Sequence, residues 1–399
     1  MRHRTDAEGA FVQSFGDCRR SDRERPVALT IASHEDLDGI ATHMPICEVD
    51  PWRIQYFASA HCPPDVRIPM EDSDAWMWNA RHRWVYDRIA IAQSQGLVAG
   101  PHGTVPPSFP VFSKPIVNLK GMGLGTRILR TPEEYDRHCT AGHMWMQLLT
   151  GLHVSSDVAV VRGEARWWRH VTGVPAGGGT FDYWTVHADS KPALEASLGR
   201  WIAAHLGDYT GLVNLETVGG SIIEAHLRPS DQWPDLYGRG WVDALIHLYS
   251  RGEWIFADRD RRDGYSVVLF DRHDVRWRHP SRRQLADVRA LPTVSSVQIT
   301  FHEDRDPLLH AMPPGGFRLA IVNCWNFDVG LAARNRLRTY FRRALKAEST
   351  DTEGADRNAG MIPSGAPHWH GSRSEAPARR AASIPSTSPG SLSDTAILP

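Results

Sequence analysis

The sequence is short of the features that mark several large protein classes. No apolar run approaches the roughly 20 residues that cross a bilayer, so no membrane partner is expected. The first twenty residues are charged and hold no apolar stretch of the secretory-signal kind, and Asp6, Glu8 and Asp17 argue against an organelle transit peptide. Cysteine is scarce. The five residues Cys18, Cys47, Cys62, Cys139 and Cys324 are odd in number, scattered and without a CxxC pair, which fits a reduced, cytoplasmic protein without structural disulfides or a zinc knuckle. Net charge is almost absent, with 45 Lys+Arg against 46 Asp+Glu, so no overall field draws nucleic acid or anionic membrane. The local basic clusters at 259–262 and 334–343 read as solvated faces.

What is present is a chain of 399 residues, 41% hydrophobic, long enough for two or three domains. Residues 1–25 and 348–399 lack aliphatic periodicity and cannot offset their ordering entropy, so both are expected to be disordered. His368 and His370 fall in that tail, where an unstructured pair is a weak ligand set. Between the ends, strand and helix signals alternate. PVALTIAS, PVFSKPIV, HVSSDVAVV, SVQITFH and FRLAIVN read as strands; helices are expected over 76–95, 192–206, 241–249 and 329–345. The last is basic, either a dimer surface that would make a homodimer or a solvated face. GLVNLETVGGSIIEAHL reads as a β-hairpin turning at Gly219 and Gly220. The class is α+β, rich in antiparallel hairpins rather than one βαβ series.

That hairpin carries the first chemical feature. Residues two apart on a strand share a face, so Glu224, His226 and Arg228 project together. A two-residue turn would set Glu216 opposite Ile223, on the wrong face. A three-residue turn, Gly219-Gly220-Ser221, sets it opposite Glu224. In that register two carboxylates and an imidazole share one surface, a pattern suited to Mg²⁺ held by carboxylates and substrate phosphates. A salt-bridged sheet face with Arg228 as partner is the plainer reading. The second feature is Lys114, alone in an apolar strand where an unpaired ammonium is costly to bury. The loop after it, NLKGMGLGTR, lets backbone N–H groups approach phosphates and adds Lys120 and Arg127. It is neither GxxxxGK[ST] nor GxGxxG, which excludes the P-loop and dinucleotide fingerprints there.

The order of these parts (basic strand, glycine loop, a strand with Gly151 and Asp157, carboxylate hairpin) resembles the ATP-grasp superfamily over roughly residues 76–236. The resemblance implies two α+β subdomains sandwiching ATP: a small N-terminal pre-grasp-like region at 26–75, subdomain 1 at 76–150, and subdomain 2 with a C-terminal extension at 151–347. It implies that Arg88 and Lys114 contact phosphates and that Lys120, Gly121, Gly123 and Gly125 belong to the loop closing over them. Met146, Gln147, Leu148 and Leu149 match the linker whose backbone meets the adenine edge, and His153 and Asp157 match the positions around the family's G-x-E pattern. NLE resembles the N-V-Q/E strand and IIEAHLR the I-E-x-N-x-R strand, which makes Glu216, Glu224 and His226 the metal ligands and Arg228 a catalytic, substrate-binding residue. Asp231, Gln232, Trp233 and Arg239 are the candidate acceptor contacts, and 172–184, with its glycine run and Asp182, Tyr183 and Trp184, a candidate lid or specificity loop. Three residues depart from the pattern: Met146 and His153 where glutamates are usual, and His226 for asparagine. An imidazole ligand shifts preference from Mg²⁺ toward Mn²⁺. The implied activity is ATP-dependent activation of a small-molecule carboxylate as an acyl-phosphate, captured by an amine or other nucleophile; a non-catalytic nucleotide or metabolite binder is the alternative.

Overall fold

The computed structural model describes Ile46 and residues 50–343. The expected disordered ends, the PVALTIAS strand and the His368/His370 pair lie outside those residues, while the helix expected over 329–345 ends sooner, at Tyr340, with Arg342–Arg343 in a strand. Among the described residues, no helix is long and apolar enough to cross a membrane.

After a short helix α1 (Pro51–Ile54), the single helix expected over 76–95 is instead three pieces: α2 (Asp72–Trp78), a 3-10 turn (Arg83–Tyr86) and α3 (Arg88–Gln93). Two polar side chains impose the breaks. Asn79 ends α2 by donating its amide back to the Ala75 carbonyl at 2.8 Å. Asp87 starts α3, its carboxylate accepting from the amides of Ile89 (2.9 Å) and Ala90 (3.2 Å). Local side-chain competition for backbone groups overrides the apolar period there.

A small antiparallel sheet follows, built from β1 (Ala99–Pro101), β2 (Val111–Pro115), β3 (Arg127–Leu129) and β4 (His143–Gln147) in the order β1-β4-β2-β3. Helix α4 (Pro132–Arg137) sits between β3 and β4 in the chain, capped by Thr131. On one face Phe112, Met144 and Met146 pack against Ala92 of α3.

The large sheet has eight strands, every neighbouring pair antiparallel. In chain order they are β5 (His153–Val161), β6 (Glu164–Gly177), β7 (Thr180–Val186), β8 (Gly211–Val218), β9 (Ser221–His226), β10 (Gly264–Asp271), and, after a two-residue strand β11 (Trp277–Arg278), β12 (Val294–Ile299) and β13 (Phe317–Cys324). Their spatial order is β12-β13-β10-β7-β6-β5-β8-β9, while β11 pairs with β14 (Arg342–Arg343). Helix α5 (Pro192–His205) buries Leu198, Trp201 and Ile202 against Val158, Val160, Val213 and Leu215 on one face. The opposite face carries a second core, where Trp241 and Leu245 of α6 (Trp241–Arg251) meet Trp167, Val171 and Leu212. Helices α7 (Arg282–Arg289) and α8 (Phe327–Tyr340) cover the β12-β13 end around Val297, Leu319 and Val322. The 172–184 segment is no loose lid: most of it is ladder-paired in the β6-β7 hairpin, with the glycine run at its tip. β-branched and aromatic residues flanking the glycines pair more readily than they stay in solvent.

Candidate active site

The carboxylate hairpin reaches the expected pairing by another route. The β8-β9 turn has two residues, Gly219 and Gly220, both at positive φ (58° and 86°), as a tight hairpin turn requires. Val218 faces Ser221 and Thr217 faces Ile222, yet Glu216 faces Glu224. The extra residue is Ile223, a β-bulge rather than a longer loop. It shifts the register by one residue and so turns Glu224 to the face of Glu216. The bulged Ile223 carbonyl is also the acceptor for Lys114, whose Nζ donates to it at 2.7 Å across from the small sheet. Lys114 is 1% exposed. Burial pushes its pKa down to about 8, the Glu224 carboxylate opposing that effect and Arg88 adding to it.

Each acid of the pair has a cationic or ionisable neighbour. Glu224 lies 2.7 Å from Arg88, which also donates to the Pro115 carbonyl at 3.0 Å. Glu216 lies 3.2 Å from His153 Nε2. Burial alone would raise its pKa, but the His153 hydrogen bond and charge, with His226 and Arg228, bring it down to about 2. His226 turns Nε2 toward both acids, 3.9 Å from Glu216 and 3.7 Å from Glu224, while its Nδ1 is 3.0 Å from Asp72. Asp72 accepts from Arg228 as well, at 2.8 Å.

These groups line one cavity of about 220 Å³ between the two sheets. Lys114, Lys120, Gly121, Gly123, His153, Glu216, Glu224, His226, Arg228, Asp231, Gln232 and Trp233 all reach it. Others fall outside its lining. Arg88 is engaged by Glu224 just behind it, and Gly125 sits against Pro115 and His143. Met146 is buried under α3, and the Gln147 amide donates to the Val98 carbonyl; Leu148 and Leu149 pack beside Met146. Asp157 is buried and accepts from Asn214, the Ser230 amide and the Tyr237 hydroxyl, so it pins the 229–237 segment rather than facing the cavity. Arg239 is exposed, away from the cavity.

Four further charged residues line the cavity that sequence reading passed over: Arg53, Glu71, Asp72 and Arg318. Arg53 binds Asp231 at 2.6 Å and also Asp50 and Glu71. Asp72 leaves no local signal, because His226 and Arg228 lie more than 150 residues away. Arg318 carried the same signal as Lys114, a lone charge in an apolar strand.

The residues suit a hard divalent cation. Two carboxylates share a face, and among the described residues no three His, Cys, Asp or Glu side chains converge as a metal cage, so phosphate and water oxygens would complete the coordination.

No family model matches the sequence, and no curated protein matches it. Solved structures do resemble it. An L-amino acid ligase from Bacillus licheniformis superposes with a TM-score of 0.49 at 12% identity, covering 68% of this chain and 74% of that one. A phosphoribosylamine–glycine ligase from Thermotoga maritima gives 0.48 at 14%, covering 72% and 86%. An N5-carboxyaminoimidazole ribonucleotide synthetase from Thermus thermophilus gives 0.46 at 16%, covering 72% and 83%. These likenesses concern the course of the chain and say nothing of its chemistry. The arrangement itself, a small sheet presenting a buried lysine across a cleft to paired acids on a large antiparallel sheet, has the layout that the sequence resemblance to the ATP-grasp superfamily implies.

Proposed function

We propose that this chain is an ATP-grasp protein that binds MgATP between its two sheets and uses it to activate a carboxylate for capture by an amine or another nucleophile. The observation that carries this reading is the meeting of Lys114 with the bulged hairpin that holds Glu216 and Glu224.

Lys114 faces the triphosphate, with Arg88 supporting it through Glu224. Lys120 and the amides around Gly121 and Gly123, glycines at positive φ in the loop lining the cavity, would cover the phosphates. The chain near Met146, Gln147, Leu148 and Leu149 borders the base, and His153 with Asp157 supports the floor. Glu216 and Glu224 would hold Mg²⁺, which when bound offsets charge on the phosphate oxygens. His226 stands third, its Nδ1 fixed by Asp72, and favours Mn²⁺ among the alternatives.

A carboxylate oxygen attacks the γ-phosphorus while the bond to the β,γ-bridging oxygen breaks, giving an acyl-phosphate and ADP. The nucleophile's nitrogen then attacks the carbonyl carbon, phosphate leaves, and the nitrogen gives up a proton. Arg228, set by Asp72 at the edge of the acids, stabilises charge on the transferred group. Asp231, Gln232 and Trp233 form the acceptor end.

The pairing of Glu224 with Arg88 and Glu216 with His153 favours a second reading, a nucleotide binder without turnover. ADP release over a panel of carboxylates and amines, with and without Mg²⁺, separates the two. The test of the site itself is Glu224→Gln, which keeps an acceptor for Arg88. Calorimetry with MgADP is expected to show about 100-fold weaker Mg²⁺-dependent binding at an unchanged melting temperature. Equal affinity would make the hairpin purely structural.

A further inference from the structure

Three arginines line the cavity, and two of them are paired with acids. Arg53 is bound by Asp50, Glu71 and Asp231, and Arg228 by Asp72 and the Pro229 carbonyl. Arg318 differs. Among the described residues its guanidinium makes no hydrogen bond and no ion pair, and its Nε is buried without a partner. A half-buried cation that no acid pairs with is costly to hold, so its presence needs a reason.

The backbone shows that its aim is built in. Along β10 and β13 the pairs Ser266–Asn323 and Val268–Ile321 share one face, and Leu269 then pairs with Ala320. Continued in register, Phe270 would meet Leu319, and Arg318 would turn into the core beneath α8. Instead Phe270 pairs with Arg318, and Leu319 is bulged out. The bulge delivers Arg318 to the cavity face beside Phe270 and Val268. It serves Arg318 as the Ile223 bulge serves Glu224.

Arg318 and Lys114 answer to different charged groups within the cavity. The charges acting on Lys114 are Glu224, Arg88 and Glu216; those acting on Arg318 are Asp231, Arg53, Glu71 and Asp50. Phe270, its ladder partner, and Val268 flank Arg318 on this face, and the same cavity is lined by Phe181 and Trp184, with ring centroids 4.1 Å apart, and by Trp233. A ligand there presents an anion to the guanidinium and an apolar body to the rings, while its reacting group points back toward the acids.

We propose that the acceptor is an amino acid with an apolar side chain, whose own carboxylate pairs with Arg318 and whose amine faces the acyl-phosphate. This rests on the ligase reading above. The amine nitrogen forms the new C–N bond, phosphate departs, and the nitrogen loses a proton; the carboxylate on Arg318 is carried unchanged into the product.

The test uses leucine, methionine and phenylalanine as substrates, each acceptor offered also as its carboxamide, with MgATP. ADP release and product mass are recorded. The expected products are amides with a free carboxylate, with carboxamide acceptors about 100-fold poorer in kcat/KM, the scale of losing one partner of a buried charge pair. Arg318→Gln should lower use of the acids about 100-fold while leaving the carboxamides unchanged, and Arg318→Lys should recover part of the loss. Because Arg318 has no partner to strand, R318Q should melt no lower than the unsubstituted chain. Equal use of acids and carboxamides, an unchanged ratio in R318Q, or capture of no panel member while MgATP still binds would overturn the Arg318 assignment and leave the ligase reading standing. Absence of MgATP binding would instead remove the ligase reading itself.

Discussion

Lys114 is held where an ammonium is expensive to keep, and its depressed pKa near 8 reflects burial more than any neighbour. On the proposed reading, incoming phosphates would supply the counter-charge that the Ile223 carbonyl supplies only as a dipole. Linkage then fixes a sign. If the proposed binding uses the charged amine, affinity is full below about pH 8 and falls up to about tenfold per unit above it. Titrating MgATP affinity from pH 7 to 9.5 is expected to show that decline, and Lys114→Arg, charged throughout the range, should be flat. A flat profile in the unsubstituted chain would mean that another group grips the phosphates. Lys114 was legible in the sequence because one charge interrupts an apolar strand. Asp72 was not, since its meaning comes from His226 and Arg228, partners that only folding brings near.

At the scale of elements, the decisive features are irregularities. The β8-β9 hairpin was legible from its glycines and alternation, and the pairing of Glu216 with Glu224 was anticipated, but through a longer turn. A bulge and a three-residue turn shift the register equally, and glycine permits either, so the sequence alone does not distinguish them. The split of the 76–95 helix had the same origin: apolar spacing suggested continuity, while Asn79 and Asp87 held backbone groups that ended it. Gly219 is where the hairpin can be tested. A Cβ there would lie 2.4 Å from the Thr150 carbonyl oxygen, and φ is +58°. Gly219→Ala should therefore cost about 2 kcal/mol in urea unfolding and weaken MgADP binding as the hairpin shifts. Gly220→Ala, with φ +86° but open space around the added carbon, should cost less. Equal losses would show that backbone strain, not the contact with the chain entering β5, sets the penalty.

Over the whole molecule, the small sheet and the segment before it are tied to the large sheet through buried charge. Asp72 accepts from both His226 and Arg228, and is 2% exposed. Burial alone would raise its pKa, but Arg228 and His226 hold it well below the usual carboxylate range. Burial would likewise lower His226, yet Asp72 holds it above its ordinary value. The two shifts bound a window. The Asp72 contribution is complete above the unfolded carboxylate pKa near 4 and is lost as pH falls through its lower folded value; the His226 contribution is complete below about 6.5 and fades as pH rises through its raised folded value. Stability from this tie is therefore greatest between about pH 4 and 6.5. Asp72→Asn strands Arg228 and is expected to cost about 3 kcal/mol at pH 6. It should also flatten the alkaline side of the stability profile, because a neutral amide no longer favours the imidazolium. Denaturant melts of both proteins from pH 5 to 9 measure both effects together. If the two profiles run parallel across that range, Asp72 is not what charges His226, and the link between the segment ahead of the small sheet and the acids of the large one is packing rather than electrostatics.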